Sequence, residues 1–154
     1  MKIEKTLTLL KPGNFEKRFK IFNRLDDLLK EDFSKTLAFH LKNVPEELIR
    51  EHYKNIKEKP FYEWTIQAFL KSKDGIVFRG YEGYDIISRV RKVVGHKDPK
   101  KAEPNTIRAI FGKDSLDLAF KEKRYLNNII HASSSVEEAV REIELWREYI
   151  EWTC

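Results

Sequence analysis

The sequence predicts an α+β protein (an α/β sandwich): a ferredoxin-like β-α-β-β-α-β antiparallel sheet with added helices. Three observations carry this expectation. Segments of period 2 and period 3.6 alternate in the order β-α-β-(αα)-β-α-β-α. The extended segments are too few and too short for a doubly wound sheet. A chain of 154 residues, 41% apolar and 12% aromatic, has the size and composition of a single domain, 1–154, able to bury a core.

"KTLTLL" at residues 5–10 alternates and β-branches as a strand does, and "KPGN" breaks it with Pro12 and Gly13. Phe19, Phe22, Leu25, Leu28 and Leu29 then recur at helical spacing. "KTLAFHLKNV" alternates again as a second strand, within which His40 reads as structural or surface. Pro45 suits a helix first turn, and "EELIREHYKNI" places Leu48, Ile49, His52, Tyr53 and Ile56 on one helical face. Pro60 restarts a helix through "FYEWTIQAFL", and "GIVFRGYEG" is a short strand closed by glycines. "YDIISRVRKVV" is helical, with Ile86, Ile87, Val90, Val93 and Val94 as its apolar stripe. The polar loop "GHKDPKKAEPN" follows, and "TIRAIFG" stays open between extended segment and loop.

"DSLDLAFKEKRYL" returns to helical spacing behind a serine able to cap it, so an inserted helix is expected near 114–126. "NNIIH" reads as a short strand and "SVEEAVREIELW" as the last helix. Val136, Ala139, Val140 and Ile143 fall there at i, i+3, i+4 and i+7, and Ser135 and Glu138 have capping-box spacing.

Composition excludes several classes. No apolar run approaches the roughly 18 residues of a membrane span, and Met1-Lys2-Ile3-Glu4 lacks a secretory pattern, so a cytoplasmic protein without membrane partners is expected. The one cysteine, Cys154, allows no internal disulfide and no thiolate metal cluster. Lys and Arg number 30 against 25 acidic residues, a net charge of +5 that suits a polyanionic ligand. Much of that charge lies on mixed-sign faces such as "LKEDFSK" and "KEKRY", which also read as plain solvated surface. An RNA-binding ferredoxin-like module would need aromatics in a "[KR]-G-[FY]-[GA]-F" strand; "GIVFRGYEG" matches that only superficially, which argues against nucleic acid.

His131 ends an apolar strand immediately before a capped helix, where backbone N–H groups favour anions. Glu138 and Glu142, one turn apart, share a face of that helix. A carboxylate or carbonyl on one ring nitrogen would fix the tautomer and free the other to attack. Taken alone, a strand-end histidine is more often structural.

Its company points further. "NIIHASSS…REIELW", from Asn128 to Trp146, resembles the signature N-x-x-H-[GA]-S-D-S of the nucleoside diphosphate kinase family. "TLTLLKP" is similar to that family's first strand with its lysine-proline pair, "EHYKNIKEKPFY" to its H-Y-…-K-x-[KR]-P-F-[FY] element, and "VRKVVGHKDP…EPNTIRAIFG" to its R-x-x-x-G-x-T-[DN]-P…P-x-[ST]-I-R segment. The motifs stand in the family's order.

The resemblance implies a ping-pong phosphoryl transfer from a nucleoside triphosphate, ATP foremost, to a nucleoside diphosphate through a phosphohistidine at His131. It implies that Arg91 and Arg108 grip phosphate, that Lys11 and Asn128 bind the ribose, with Lys11 also near the phosphates, and that Phe61 stacks on the base. Tyr53 would lie beside His131, with Glu142 and Ser133 orienting it. Mg²⁺ would arrive on the nucleotide and no protein metal cage is expected; a closed homo-oligomer is the expected assembly.

The chain also departs from the family pattern. Lys97 stands for a threonine and could donate a charge-assisted bond to phosphate in its place. Ser134 replaces an aspartate, and "KPG" with "NFEKRFK" replaces "KPD" and a glycine-rich turn. Between Arg108 and His131 lie 22 residues, about ten more than the family pattern, which suits an added helix covering the nucleotide or altering subunit packing. These departures keep open an alternative: a catalytically weak relative serving as a nucleotide-binding or regulatory module.

Overall fold

The computed structural model describes residues 2–150; Cys154 lies outside them. Four strands, β1 (Ile3–Leu10), β2 (Phe33–Leu41), β3 (Ile76–Tyr84) and β4 (Ile130–Ala132), form one antiparallel sheet in the order β2-β3-β1-β4. This is the ferredoxin-like arrangement that the element order predicts. The central strand β1 pairs β3 along nearly its whole length and holds β4 at Thr8↔Ala132, Leu9↔His131 and Leu10↔Ile130.

Period-2 alternation gives each face of the sheet its own core. On one face α1 (Arg18–Leu29) and α4 (Ile86–Val94), the two crossover helices, pack Ile21, Phe22, Leu25, Ile86 and Val90 against Leu10, Tyr81 and Ile130. On the other, α2 (Glu46–His52), α3 (Phe61–Lys71) and α7 (Val136–Trp146) pack Ile49, Ile66, Phe69 and Trp146 against Leu7, Leu9, Leu37 and Phe78. With Ile130 and Ala132 in the first core, His131 between them turns toward α7.

Three readings change on contact with tertiary structure. "TIRAIFG" is a short helix, α5 (Ile107–Phe111), capped by Thr106, whose hydroxyl accepts from the Ala109 N–H at 3.2 Å. β3 is nine residues long, not short, and runs through Gly80 and Gly83. Two apolar stripes are displaced: Phe19 is 64% exposed, and Val136 and Val140 of α7 face solvent while Ala139, Glu142 and Trp146 turn inward. A buried carboxylate rotates the true inner face of α7 away from the one its aliphatic residues mark.

The inserted segment contains α6 (Leu116–Glu122), shorter than the periodicity predicts. Ser115 caps it by accepting from the Leu118 N–H at 3.2 Å. No helix among the described residues is long and apolar enough to cross a membrane.

Candidate active site

Residues 128–133 run from a strained turn into β4. The Ile130 N–H donates to the Asn128 carbonyl at 2.9 Å, closing a γ-turn whose central residue, Ile129, has φ of 77°. A positive φ is costly for a β-branched side chain, about 1–3 kcal/mol. Burial of Ile129 and Ile130, each contributing about 1.5–3 kcal/mol, and the 2.9 Å bond from the Lys11 N–H to the Ile129 carbonyl hold the turn in place.

The turn delivers His131 to Glu142. His131 Nε2 lies 2.8 Å from Glu142 Oε1, which also accepts from the Ser133 hydroxyl at 2.9 Å. The Ser133 hydroxyl has one proton and could instead face the Leu7 carbonyl at 3.2 Å; the carboxylate is closer and charged, and the Leu7 N–H completes Ser133 by donating to it. Burial pushes the Glu142 carboxyl up, but the His131 charge and hydrogen bond, then His52 and Ser133, together hold it below its ordinary value. An ionised Glu142 only accepts, so His131 donates from Nε2 and the neutral ring keeps its lone pair on Nδ1.

A second imidazole stands against the first. His52, buried at the end of α2, meets the His131 ring edge-on at 4.5 Å between centroids. Burial, then the His131 charge, brings its pKa down to about 3, so the ring is neutral. Trp146 Nε1–H donates to His52 Nδ1 at 3.0 Å. Indole only donates, so the His52 proton sits on Nε2, which is buried with no hydrogen-bond partner. His52, His131 and Glu142 cluster closely enough to resemble a metal-ligand set. The tautomers oppose it: both Nε2 atoms carry protons, and moving the His52 proton to Nδ1 would set it against the indole N–H.

The remaining residues singled out in the sequence share one cavity of about 390 Å³ with His131: Lys11, Tyr53, Phe61, Arg91, Lys97, Arg108, Asn128 and Glu142 all line it. Ser133 lies behind Glu142. Arg108 donates to three carbonyls, Asn128 at 3.0 Å, Gly95 at 3.0 Å and Ile130 at 2.7 Å, fastening the turn to the 95–99 loop with donors to spare. Desolvation, then Arg91, lowers its pKa to about 10, leaving it charged at neutral pH. Desolvation, then Arg108, lowers Lys11 to about 7.

Asn128 donates from Nδ2 to the Lys97 carbonyl at 2.9 Å, while its Oδ1 is buried without a partner. The Tyr53 hydroxyl is likewise buried and unpartnered, and burial, then Glu142, pushes its pKa up. Three unmet polar atoms (Tyr53 Oη, His52 Nε2 and Asn128 Oδ1) lie among the residues of one cation-lined cavity. Native interiors rarely leave such groups unpaired except where a ligand or water meets them.

Several lining residues escape a motif reading. Asn55, Thr65, Leu116, Leu126 and Arg141 belong to the cavity, and His52 reads in sequence as part of an apolar face. Arg141 clamps the end of α2 by donating to the Glu51 and His52 carbonyls, both at 3.0 Å, and pairs with Glu138 at 2.6 Å. Glu138 therefore does not close the capping box: Ser135 accepts from its N–H, while its carboxylate takes Arg141 and Asn55. Only contacts between elements distant in sequence reveal these roles.

Fold and cleft together define a class: an α+β protein with an oriented imidazole at the floor of a basic pocket, suited to phosphorylated ligands. A family model described as nucleoside diphosphate kinase matches residues 4–151, and the chain belongs to that family. It is 34% identical over 153 residues to nucleoside diphosphate kinase 3 of Mus musculus, spanning 98% of this chain and 81% of that one. It is 35% identical over 144 residues to the nucleoside diphosphate kinase of Methanothermobacter thermautotrophicus, spanning 94% and 87%.

Among solved structures, it resembles the transition-state mimic of the Borrelia burgdorferi enzyme with bound vanadate and ADP, with a TM-score of 0.82, 28% identity and coverage of 97% and 90%. An NDP kinase from Pyrobaculum aerophilum follows at 0.79, 26% identity and 97% and 100% coverage. The protein is thus a phosphotransferase of the nucleoside diphosphate kinase type, moving phosphate between nucleotides.

Proposed function

We propose that the transfer runs in two halves through His131. The Nδ1 lone pair forms a bond to the γ-phosphorus of a nucleoside triphosphate, ATP foremost, as the bond from that phosphorus to the β–γ bridging oxygen breaks. The diphosphate leaves with that electron pair. In the second half a terminal oxygen of another nucleoside diphosphate attacks the same phosphorus, the N–P bond breaks, and the pair returns to Nδ1. The single observation that carries the reading is the 2.8 Å bond from His131 to Glu142, because it supports a proton on Nε2 and an attacking lone pair on Nδ1.

Around that atom the other residues take positioning roles. Arg91, Arg108, Lys97 and Lys11 neutralise phosphate oxygens. Asn128 Oδ1 accepts from a ribose hydroxyl, with Lys11 alongside, and Phe61 stacks on the base. Tyr53 flanks the imidazole, its ring 5.8 Å from that of His131, and Ser133 with Glu142 fixes the ring. Mg²⁺ brought by the nucleotide would supply charge neutralisation to its phosphates. Its donor set fits phosphate oxygens and water, because the cavity's two carboxylates are already engaged, Glu142 with His131 and Ser133, Glu138 with Arg141 and Asn55. In the same reading the protein works in the cytoplasm, in keeping with its single cysteine, and as a homo-oligomer that covers exposed apolar residues such as Ile3 and Phe19.

The test is direct. Incubated with γ-labelled ATP and Mg²⁺, the protein should acquire an acid-labile, alkali-stable label and pass it to added GDP. His131→Ala should lose both steps, at least about 10³-fold. A wild-type protein that takes no label overturns the proposal.

A further inference from the structure

The segment that the family pattern lacks contributes two apolar residues to the cavity that Phe61 lines. Leu116 and Leu126, one at each end of that segment, line the cavity together with Ile56 and Phe61. Leu116 and Phe120 lie at i and i+4 on α6 and so share one face. Phe120 meets Phe61 edge-on at 5.8 Å and Trp64 at 6.1 Å. The face of α6 that carries Leu116 therefore also carries the ring that meets Phe61.

The segment is fastened at both ends. The Leu116 N–H donates to buried Asp98 at 3.3 Å, which ties the start of α6 to the loop carrying Lys97. Arg124 forks onto Asp114 at 2.6 and 2.9 Å, Asp114 also accepts from the Asn127 N–H at 3.0 Å, and the Tyr125 hydroxyl donates to the Pro12 carbonyl. A wall with this many anchors is preformed, and preformed walls lose little entropy when a ligand arrives.

We infer that the inserted segment is a base-binding element: Leu116 forms an apolar contact surface for the nucleobase and Phe120 is a positioning residue that holds Phe61 for stacking. This rests on the reading of the cavity as a nucleotide site and adds to it a second wall. The wall recognises bases by shape and apolar area. Of the polar side chains near Phe61, Thr65 commits its one proton to the Phe61 carbonyl at 2.8 Å and Asn55 commits an amide N–H to Glu138. Purines, with their larger faces, gain more from such a wall than pyrimidines.

The experiment compares ADP with ribose 5-diphosphate, which lacks the base, by titration calorimetry. Leu116→Ala and Phe120→Ala should each weaken ADP binding about five- to twentyfold and leave ribose 5-diphosphate binding within about twofold. Phe120→Tyr should restore ADP binding, and the loss should be larger for ADP than for CDP. Variants that bind ADP like the wild type overturn the inference, as do variants that lose both ligands equally. A wild-type protein that binds neither ligand overturns the underlying nucleotide reading as well, so the two failures are distinguishable.

Discussion

Toward His131 the cleft is lined by polar groups, the catalytic imidazole among them held by a chain of hydrogen bonds; around Phe61 it is lined by side chains that mainly touch one another. His131 is held by Glu142, Glu142 by Ser133, and Ser133 by main-chain groups of Leu7 in the central strand. Arg108 spends three bonds on carbonyls of the strained turn and its neighbouring loop. At the other end Phe120 meets both Phe61 and Trp64 edge to face, and remains 39% exposed. Bond formation needs reacting atoms aligned to fractions of an ångström, which directional bonds anchored to a sheet can supply. Stacking tolerates sliding, so the apolar end can be assembled from an insertion without disturbing the chemistry.

If that division is right, substitutions at the two ends should divide kcat from KM. Glu142→Gln keeps the shape but loses the charge that fixes the imidazole, and kcat should fall about 10²- to 10⁴-fold with KM little changed. Rapid-quench measurement of histidine labelling reads this, and an intact labelling rate would break the comparison. Phe61→Ala should act in the opposite sense. KM should rise about tenfold while kcat at saturation stays within about threefold, as expected for stacking worth about 1–3 kcal/mol. Steady-state kinetics with several nucleotides would expose a kcat effect and so merge the two ends.

Lys11 sharpens the comparison through pH. With a pKa lowered to about 7 by desolvation and Arg108, it is charged below that pH and neutral above it. A bound polyphosphate favours the charged form and raises the pKa, so nucleotide binding takes up a proton above about pH 7. Affinity should therefore be insensitive to Lys11 below that pH and fall above it, by up to about tenfold per unit. Calorimetry between pH 7.5 and 9 in buffers of different ionisation enthalpy measures the uptake, and Lys11→Arg should abolish it; no uptake in the wild type contradicts the assignment. The smallest effect is expected at Val140, on the outer face of α7. Val140→Ser should change stability by no more than about 0.5 kcal/mol in urea denaturation, whereas a core position on the same helix would cost several times that.

Much of the fold is legible in sequence, since alternation in "KTLTLL" and 3.6-residue spacing in "YDIISRVRKVV" are local consequences of burying one face. The failures are local too. Val136 and Val140 mark an apolar stripe on α7 that the protein leaves outside, because the buried positions are claimed by Glu142 for His131 and by Trp146 for His52. "TIRAIFG" is too short for its period to be read, and the Thr106 cap and packing against α1 and α4 make it helical. At the site, Lys11, Tyr53, Phe61, Arg91, Arg108, Asn128 and His131 stand in spaced motifs and can be singled out. Arg141, Leu116 and Leu126 cannot, and the part of His52 is not given by its motif, because these roles come from neighbours distant in sequence, as Trp146 is to His52 and Asp98 to Leu116.

By itself the sequence determined the order of strands and helices, the basic balance and the identity of the histidine with its Glu and Arg companions. The first two follow from local period and composition; the histidine and its companions are singled out only by the resemblance of the motifs that carry them. Tertiary structure decided which ring nitrogen of His131 carries the proton, that His52 stays neutral, and that the inserted segment closes on Phe61. Each of these depends on a donor meeting an acceptor, or a ring meeting a ring, across the sheet or between distant loops, and no local pattern in a chain encodes such a meeting.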